Sequence, residues 1–479
     1  MKDYDSEIVL LKRAFNGSDD FVVREFTAGE VRIALLFCDG MVEMREIDMG
    51  VLTPLIASDG KFEPTAEGMK GVIVTAETLE SFASRKAFTE KLAKGACGVV
   101  VDGAKEYFAI GTQGYATRPI MEPPTAAVIK GPREGFTEDF KSNMVLIRRR
   151  FGSGKLVFKA VVVGRYTRTQ IRVCYLKGIA RKDVVDAIIA RLGKIDIDGI
   201  VDSSYVAKFL EERNYSVFKQ SGATEKPDIL ASKLLDGRVG VIVDGSPMVI
   251  TLPFMLIEDF HDSEDYYRRP VRTTVVRIMR LLGVFFAVLL PGVFVALQSH
   301  QYQVLPLELL VTIINSTTGI PFSPVLEMLI ALVFFEVLGE ASVRMPRYFG
   351  MAMSVVGGII LGETAVNAGV LSSLTVLITA MSSIGLFAIP DEVGTFSVIR
   401  ISLVFVGATF GIYGILLAVI AILAYVCSME IYGVAYIAPF APVVPGDFRD
   451  SILKVSIKDR TRRTGALRLR NNTRLKYEK

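Results

Sequence analysis

Lysine is missing from a long part of this chain: none occurs between Lys233 and Lys454. Over most of that stretch, from Leu281 to Phe448, the charged residues are only Glu308, Glu327, Glu336, Glu340, Arg344, Arg347, Glu363, Asp391, Glu392, Arg400, Glu430 and Asp447. So few charges cannot build a water-facing surface, and the stretch is expected to have lipid as its solvent. Histidine is nearly absent: the 2 residues, His261 and His300, stand alone and read as ordinary. The 4 cysteines show no CxxC spacing, which argues against disulfides and zinc and fits a reducing compartment. No apolar run follows the charged start Met1 to Glu7, so no signal peptide is read and the N-terminal half is expected in the cytoplasm. No Ser/His/Asp set, metal cluster or paired catalytic carboxylates stands out, and Gly152-Ser-Gly-Lys155 lacks the P-loop spacing. An enzyme is not expected, and no cofactor is implied.

What is present is apolar. Of 479 residues 51% are hydrophobic, and the mean hydropathy is +0.41, above the usual soluble range. Leu281–Gln298 is uncharged and follows Arg268, Arg269, Arg272, Arg277 and Arg280, as in a first span entered from the cytoplasm. Leu305–Ile320, broken by Asn315, Gly319 and Pro321, reads as re-entrant or interfacial. Val325–Val343 is an acidic second span, closed on the inside by Arg344 and Arg347. Gly350–Leu371, Ser372–Ile389 and Ile401–Cys427 complete five spans. The tail from Asp447 holds 11 Lys or Arg against 4 Asp or Glu and reads as cytoplasmic. Five crossings from an inside start end outside, so either one segment is re-entrant or Ile431–Val444 re-crosses partway.

The soluble half repeats itself. Lys91-Leu-Ala-Lys-Gly95-Ala-Cys-Gly98-Val-Val-Val-Asp-Gly103 matches Lys233-Leu-Leu-Asp-Gly237-Arg-Val-Gly240-Val-Ile-Val-Asp-Gly245 at a constant offset of 142. Ile33 to Gly40 resembles Ile171 to Gly178, each followed by a helix-like segment, Ile47–Ala57 and Lys182–Ile195. Asp-Gly between β-branched runs predicts type I′ hairpins. Two similar α/β lobes follow, over roughly 20–140 and 150–250, joined through Lys130-Gly-Pro and a helix capped near Thr137.

Ordered along nearly the whole chain are Glu122-Pro123, Lys130-Gly-Pro-Arg-Glu-Gly-Phe136 through Asn143 and Arg148, Thr224-Glu-Lys-Pro-Asp228, Val243-Asp-Gly-Ser-Pro247, Glu264-Asp-Tyr-Tyr267, Leu290-Pro-Gly-Val-Phe294, Ile320-Pro-Phe-Ser-Pro324 and Gly362-Glu-Thr-Ala-Val-Asn-Ala-Gly369. In these the sequence resembles the A-type subunits of spore germinant receptors, the GerA family. It departs at Gly339-Glu340-Ala341 and at Glu363. The resemblance implies a spore inner-membrane protein in an oligomeric, cation-releasing channel, with a transporter-like B subunit and a lipoprotein C subunit. A paralogous group acts with the dipicolinate-release machinery.

The fold expected is therefore a multi-domain membrane protein: a duplicated α/β N-terminal part (lobe 1 over 1–145, lobe 2 with a juxtamembrane segment over 146–270), a polytopic α-helical membrane domain (271–446) and a basic cytoplasmic tail (447–479). Acids inside spans are costly and mark a bundle interior or a wet path. Glu336 and Glu340 share a helix face, and Glu340 is spaced to pair with Arg344; the set reads as a gating cluster or as an ion pair fixing helix packing. Glu363 and Asn367 lie on a Gly/Ala-rich helix, which reads as pore-lining or as close helix packing. The tail, with Arg460, Arg462, Arg463, Arg468 and Arg470, reads as contacting anionic lipid rather than nucleic acid. The rival functions are a non-conducting scaffold and a secondary transporter; the membrane half shows no inverted repeat for the latter.

Overall fold

The computed structural model describes residues 4–73, 78–114, 131–344 and 357–475. Two compact units result. One comprises Met1–Phe254, Ile431–Val434 and Ile457–Lys479; the other comprises Met255–Glu430 and Ala435–Ser456. The boundary falls before the expected residue 270, and the tail is shared between the units rather than standing alone.

In the α/β unit two five-stranded antiparallel sheets have the same strand order, β1-β2-β4-β5-β3 and β6-β7-β9-β10-β8. Lobe 1 contains α1 (Tyr4–Ala14), β1 (Phe21–Ala28), β2 (Val31–Cys38), β3 (Glu80–Phe82), α2 (Arg85–Leu92), β4 (Cys97–Val101) and β5 (Tyr107–Ile110). Lobe 2 contains α3 (Phe140–Arg148), β6 (Leu156–Val163), β7 (Thr169–Leu176), α4 (Lys182–Leu192), α5 (Ser203–Leu210), β8 (Gly222–Thr224), α6 (Pro227–Leu235), β9 (Val239–Val243) and β10 (Val249–Leu252). Strand β2 is apolar on both faces. Ile33, Leu35 and Phe37 face the helical turns of Met44–Ala57, and Ala34, Leu36 and Cys38 face α1 and α2. A strand covered on both sides reads as continuous hydrophobicity rather than alternation.

The aligned glycines have a packing cause. A side chain at Gly98 would strike Phe88 of α2 at 2.5 Å, and one at Gly240 would strike Cys174 at 2.7 Å and Leu230 of α6 at 2.8 Å. Both helices press directly onto a strand. The Asp-Gly hairpins form, but not as type I′ turns: only Gly103 and Gly245 have positive φ, and Asp102 and Asp244 do not. Residues 102–106 make a longer loop, so the two-residue turn is not required. The cap of α3 is Asp139, which accepts from the backbone N–H of Lys141 and Ser142, while the N–H of Thr137 donates to Asn143 Oδ1 at 2.8 Å. Arg148 is buried and bonds Asp20 through Nε at 3.0 Å, tying α3 to the start of β1.

The tail turns back onto lobe 2. Arg460 reaches Asp236 at 3.2 Å, Arg474 bonds the same carboxylate, and Arg463 Nε donates to the Leu235 carbonyl at 2.7 Å. Leu469 covers Gly237. The lipid expectation is thereby corrected for Arg460 and Arg463, while Arg462, Arg468 and Arg470 are exposed. At the aligned position lobe 1 carries Lys94, which would repel the tail, so one charge difference between the repeats selects lobe 2.

The helical unit is built on α7 (Pro270–Ser299), α8 (Leu307–Thr317), α9 (Pro324–Arg344), α10 (Ser373–Leu386) and α11 (Val393–Cys427). Among the described residues, two helices are long and apolar enough to cross a bilayer, Pro270–Ser299 and Pro390–Cys427. The first starts 11 residues before the uncharged run, so Arg272, Arg277 and Arg280 lie inside it. Of the expected Gly350–Leu371 span, the described part holds a π-helical turn (Ile360–Thr364) and Ala365–Asn367. Ile431–Val444 forms no helix: a two-stranded hairpin, β11 (Glu430–Ile431) and β12 (Val434–Ala435), is followed by turns. Glu122-Pro123, Lys130, Pro346, Arg347 and the Arg344 side chain lie outside the described residues.

Candidate functional site

Helix α11 carries one charge, Arg400, and three helices supply its partners. Its Nη2 lies 2.6 Å from Glu336 Oε1 on α9 and 3.3 Å from Ser397 Oγ, one turn earlier on α11. Its Nη1 lies 2.9 Å from Ser382 Oγ and 3.5 Å from Ser383 Oγ on α10. Ser397 also donates to Glu336, and Ser382 donates to the Ala287 carbonyl of α7 at 2.6 Å. The Arg400 side chain is 1% exposed and that of Glu336 38%. The guanidinium is thus enclosed, while its carboxylate partner sits at the rim. Among the described residues, buried Nε of Arg400 has no hydrogen-bond acceptor.

The sequence reading placed Glu336 with Glu340 and Arg344 on one helix. The structure instead gives Glu336 a partner on α11, and the expected Glu340–Arg344 pair falls outside the described side chains. Arg400 was missed because the span was drawn from Ile401 onward to keep it uncharged. The available signal was a single arginine at the edge of an apolar run, which demands an acid on another helix.

Glu340, Glu363 and Asn367 are exposed and form no common cluster with Arg400. Glu363 lies in the π-helical turn, an irregularity often found at functional sites. Beside these residues, side chains added at Gly339, Gly358, Gly362 or Gly369 would meet nothing within 4 Å. Close glycine packing occurs elsewhere. A Cβ on Gly385 would meet the Gly283 carbonyl at 2.5 Å, and one on Gly407 would meet that of Gly292 at 2.6 Å. On the Glu363 segment Gly357 is buried and packs against Leu338 of α9, where a side chain would strike at 2.7 Å, while among the described residues Gly358, Gly362 and Gly369 face open space. Glu327, the remaining acid of α9, is buried and accepts from the Ser372 N–H at 2.6 Å.

At the start of α7 several arginines are paired. Buried Arg277 and partly buried Arg280 share Asp265 at 3.1 and 3.4 Å, and Arg268 pairs with Glu264 at 2.5 Å. Arg269 and Arg272 remain exposed. His261 sits 2.7 Å from the Ser451 carbonyl; burial, then the positive charge of Arg277, pushes it down to about 4. The structure thus offers an enclosed ion pair and exposed acids on apolar helices.

The family model "Bacillus/Clostridium GerA spore germination protein" matches residues 9–466. Spore germination protein KA of Bacillus subtilis (strain 168) is 34% identical over 452 residues, 93% of this chain and 83% of that one. Spore germination protein B1 of the same organism is 28% identical over 466 residues, 95% of each chain. A crystal structure of the N-terminal domain of the A subunit of the Bacillus megaterium spore germinant receptor GerK3 covers 52% of this chain and 94% of its own, at 27% identity and a TM-score of 0.42. Matched along nearly its whole length, this chain belongs to the GerA family of spore germination proteins.

Proposed function

We propose that this chain is the A-type membrane subunit of a germinant receptor and that copies of it form or gate an ion channel releasing monovalent cations at germination. The observation that carries the reading is the exposure of Glu363 and Asn367 on an apolar helical segment where, among the described residues, side chains added at Gly358, Gly362 and Gly369 would meet nothing within 4 Å. Ionised carboxylates facing hydrocarbon are costly. A second copy must therefore cover this surface, or water must line it, and a ring of subunits supplies both. A transporter-like B subunit and a lipoprotein C subunit are the further partners of this reading.

A multi-pass arrangement fits this reading. The grouping of Ile431–Val434 and the tail with the α/β unit favours an even number of crossings. At about 1.5 Å per residue, the 14 residues of α10 span about 21 Å, short of the roughly 30 Å hydrocarbon core. In this arrangement α7, α9 and α11 cross with one further segment, and α8 and α10 enter partway, which removes the parity conflict. The α/β unit and the tail then lie on the cytoplasmic side of the spore inner membrane.

The test is potassium release from spores carrying Glu363→Gln, with protein level followed by immunoblot. Altered or unprompted release at normal level supports conduction or gating. Unchanged release at normal level sinks Glu363 as a pore residue and favours a scaffold that conducts nothing.

A further inference from the structure

We infer that lobe 2 holds the turn that follows α11 through Tyr432 and that α11 is hinged at Gly411. The channel consequence rests on the function proposed above; the grip and the hinge do not.

The grip begins where α11 stops. Helix α11 ends at Cys427, and the β11–β12 hairpin follows at once. Its turn holds Tyr432 and Gly433 at φ of 50° and 71°. A tyrosine is strained in that region, and such residues persist where the surroundings over-determine them. The surroundings here are the ends of α4 and α5. The Tyr432 N–H donates to Glu212 Oε1 at 3.1 Å, and its hydroxyl donates to the Leu210 carbonyl at 3.0 Å. Arg191 stands 5.2 Å over its ring and donates to the same Leu210 carbonyl at 2.7 Å and to that of Glu211 at 3.3 Å. Leu210 ends α5, so its carbonyl has no partner within the helix. Tyr432 and Arg191 cap it together, and the tyrosine is only 8% exposed. Ile431–Val434 of the hairpin belong to the α/β unit, whereas Glu430, Ala435 and α11 belong to the helical unit.

The hinge lies midway along the helix. Gly411 has φ 65° and ψ −155°, a region essentially reserved for glycine. A Cβ there would strike the Gln301 side chain at 2.5 Å. Gln301 Oε1 accepts from the Ile412 N–H at 3.2 Å, and a His300 ring nitrogen lies 2.7 Å from the Ala408 carbonyl. Backbone groups interrupted by the break are thus served by the two residues that follow α7. One half of α11 runs from this break to the grip; the other carries Arg400 and, through it, Glu336. Along α11 itself, the path from the turn at Tyr432 to Arg400 passes through Gly411.

The test is hydrogen exchange of the full chain in lipid vesicles. Tyr432→Ala is expected to speed amide exchange in 412–430 and at 210–213 on the order of tenfold, the factor for losing the hydroxyl bond to the Leu210 carbonyl together with the Arg191 contact on the ring. Residues 393–410 should not change. Tyr432→Phe, which keeps the ring and loses only the hydroxyl bond, should give a smaller change in the same residues. Gly411→Ala combined with Tyr432→Ala should carry the effect into 393–410. No change in 412–430 for Tyr432→Ala overturns the grip, and a change in that single variant running past Gly411 to Arg400 overturns the hinge. Potassium release separates the two readings. If Glu336→Gln alters release and Tyr432→Ala does not, α11 carries no signal; if neither pore nor ion-pair variants alter release, the channel reading fails while the exchange data still decide the grip.

Discussion

Glu336→Gln leaves the Arg400 guanidinium enclosed without its carboxylate. Removing one partner of a buried pair costs about 3–5 kcal/mol. The Glu336 side chain is 38% exposed, and Ser382, Ser383 and Ser397 still surround the guanidinium, so a discounted cost of about 2–3 kcal/mol is expected. In a helical unit of this size that lowers the melting temperature by about 5–10 °C. Adding Arg400→Met removes the stranded charge and should recover most of the loss, because replacing a buried pair by apolar residues is often near neutral. The assay is thermal unfolding of the purified full chain in detergent, for both single variants and the double variant. A double variant that loses the sum of the two single losses would refute the pairing, since the two residues would then act independently.

Three further outcomes follow from separate parts of the structure. Asp236→Lys, which installs the charge that lobe 1 carries at Lys94, should detach the tail and expose Ile457–Leu475 to limited proteolysis, while Asp102→Lys should not. His261 has its folded pKa lowered from 6.5 to about 4, so at high pH both states are neutral; stability then falls as pH drops from about 6.5 toward about 4, where only the unfolded chain takes up the proton. Denaturation midpoints at pH 7 and pH 5 should differ in the parent and converge in His261→Asn. Gly385→Val would press on the Gly283 carbonyl and the Ala287 methyl group, so protein level should fall sharply, whereas Gly362→Val, with nothing nearby, should leave it normal.

The sequence carried the two-part plan of this protein because solvent imposes it. A long stretch without lysine and with few charges cannot face water, and a repeat offset that holds at 142 from the Lys91 motif to the Asp-Gly turn reflects one packing solution used twice. The matching glycines at 98 and 240 were legible as a pattern; their cause, a helix pressed onto a strand, was not. Pairings between distant segments stayed hidden. Glu340 and Arg344 are neighbours by helical spacing, and spacing is all that a local reading has. Glu336 finds Arg400 across 64 residues of chain, and Asp236 finds Arg460 across 224. Both partners are set by how helices and tail pack. The tail's net charge suggested lipid, yet Arg460 and Arg474 bond Asp236 of lobe 2 and Arg463 bonds the neighbouring Leu235 carbonyl. Tyr432 gave no signal at all, because a tyrosine before a glycine is ordinary in sequence and strained only in its place.

The central claim is that ions pass along the surface bearing Glu363 and Glu340. The most direct measurement is a charge series at Glu363, with Asp, Gln and Lys, read as the initial rate of potassium release from spores of matched protein level. The account predicts rates in the order Glu, Asp, Gln, Lys, with the same order at Glu340. Equal rates across the series at both positions would contradict it.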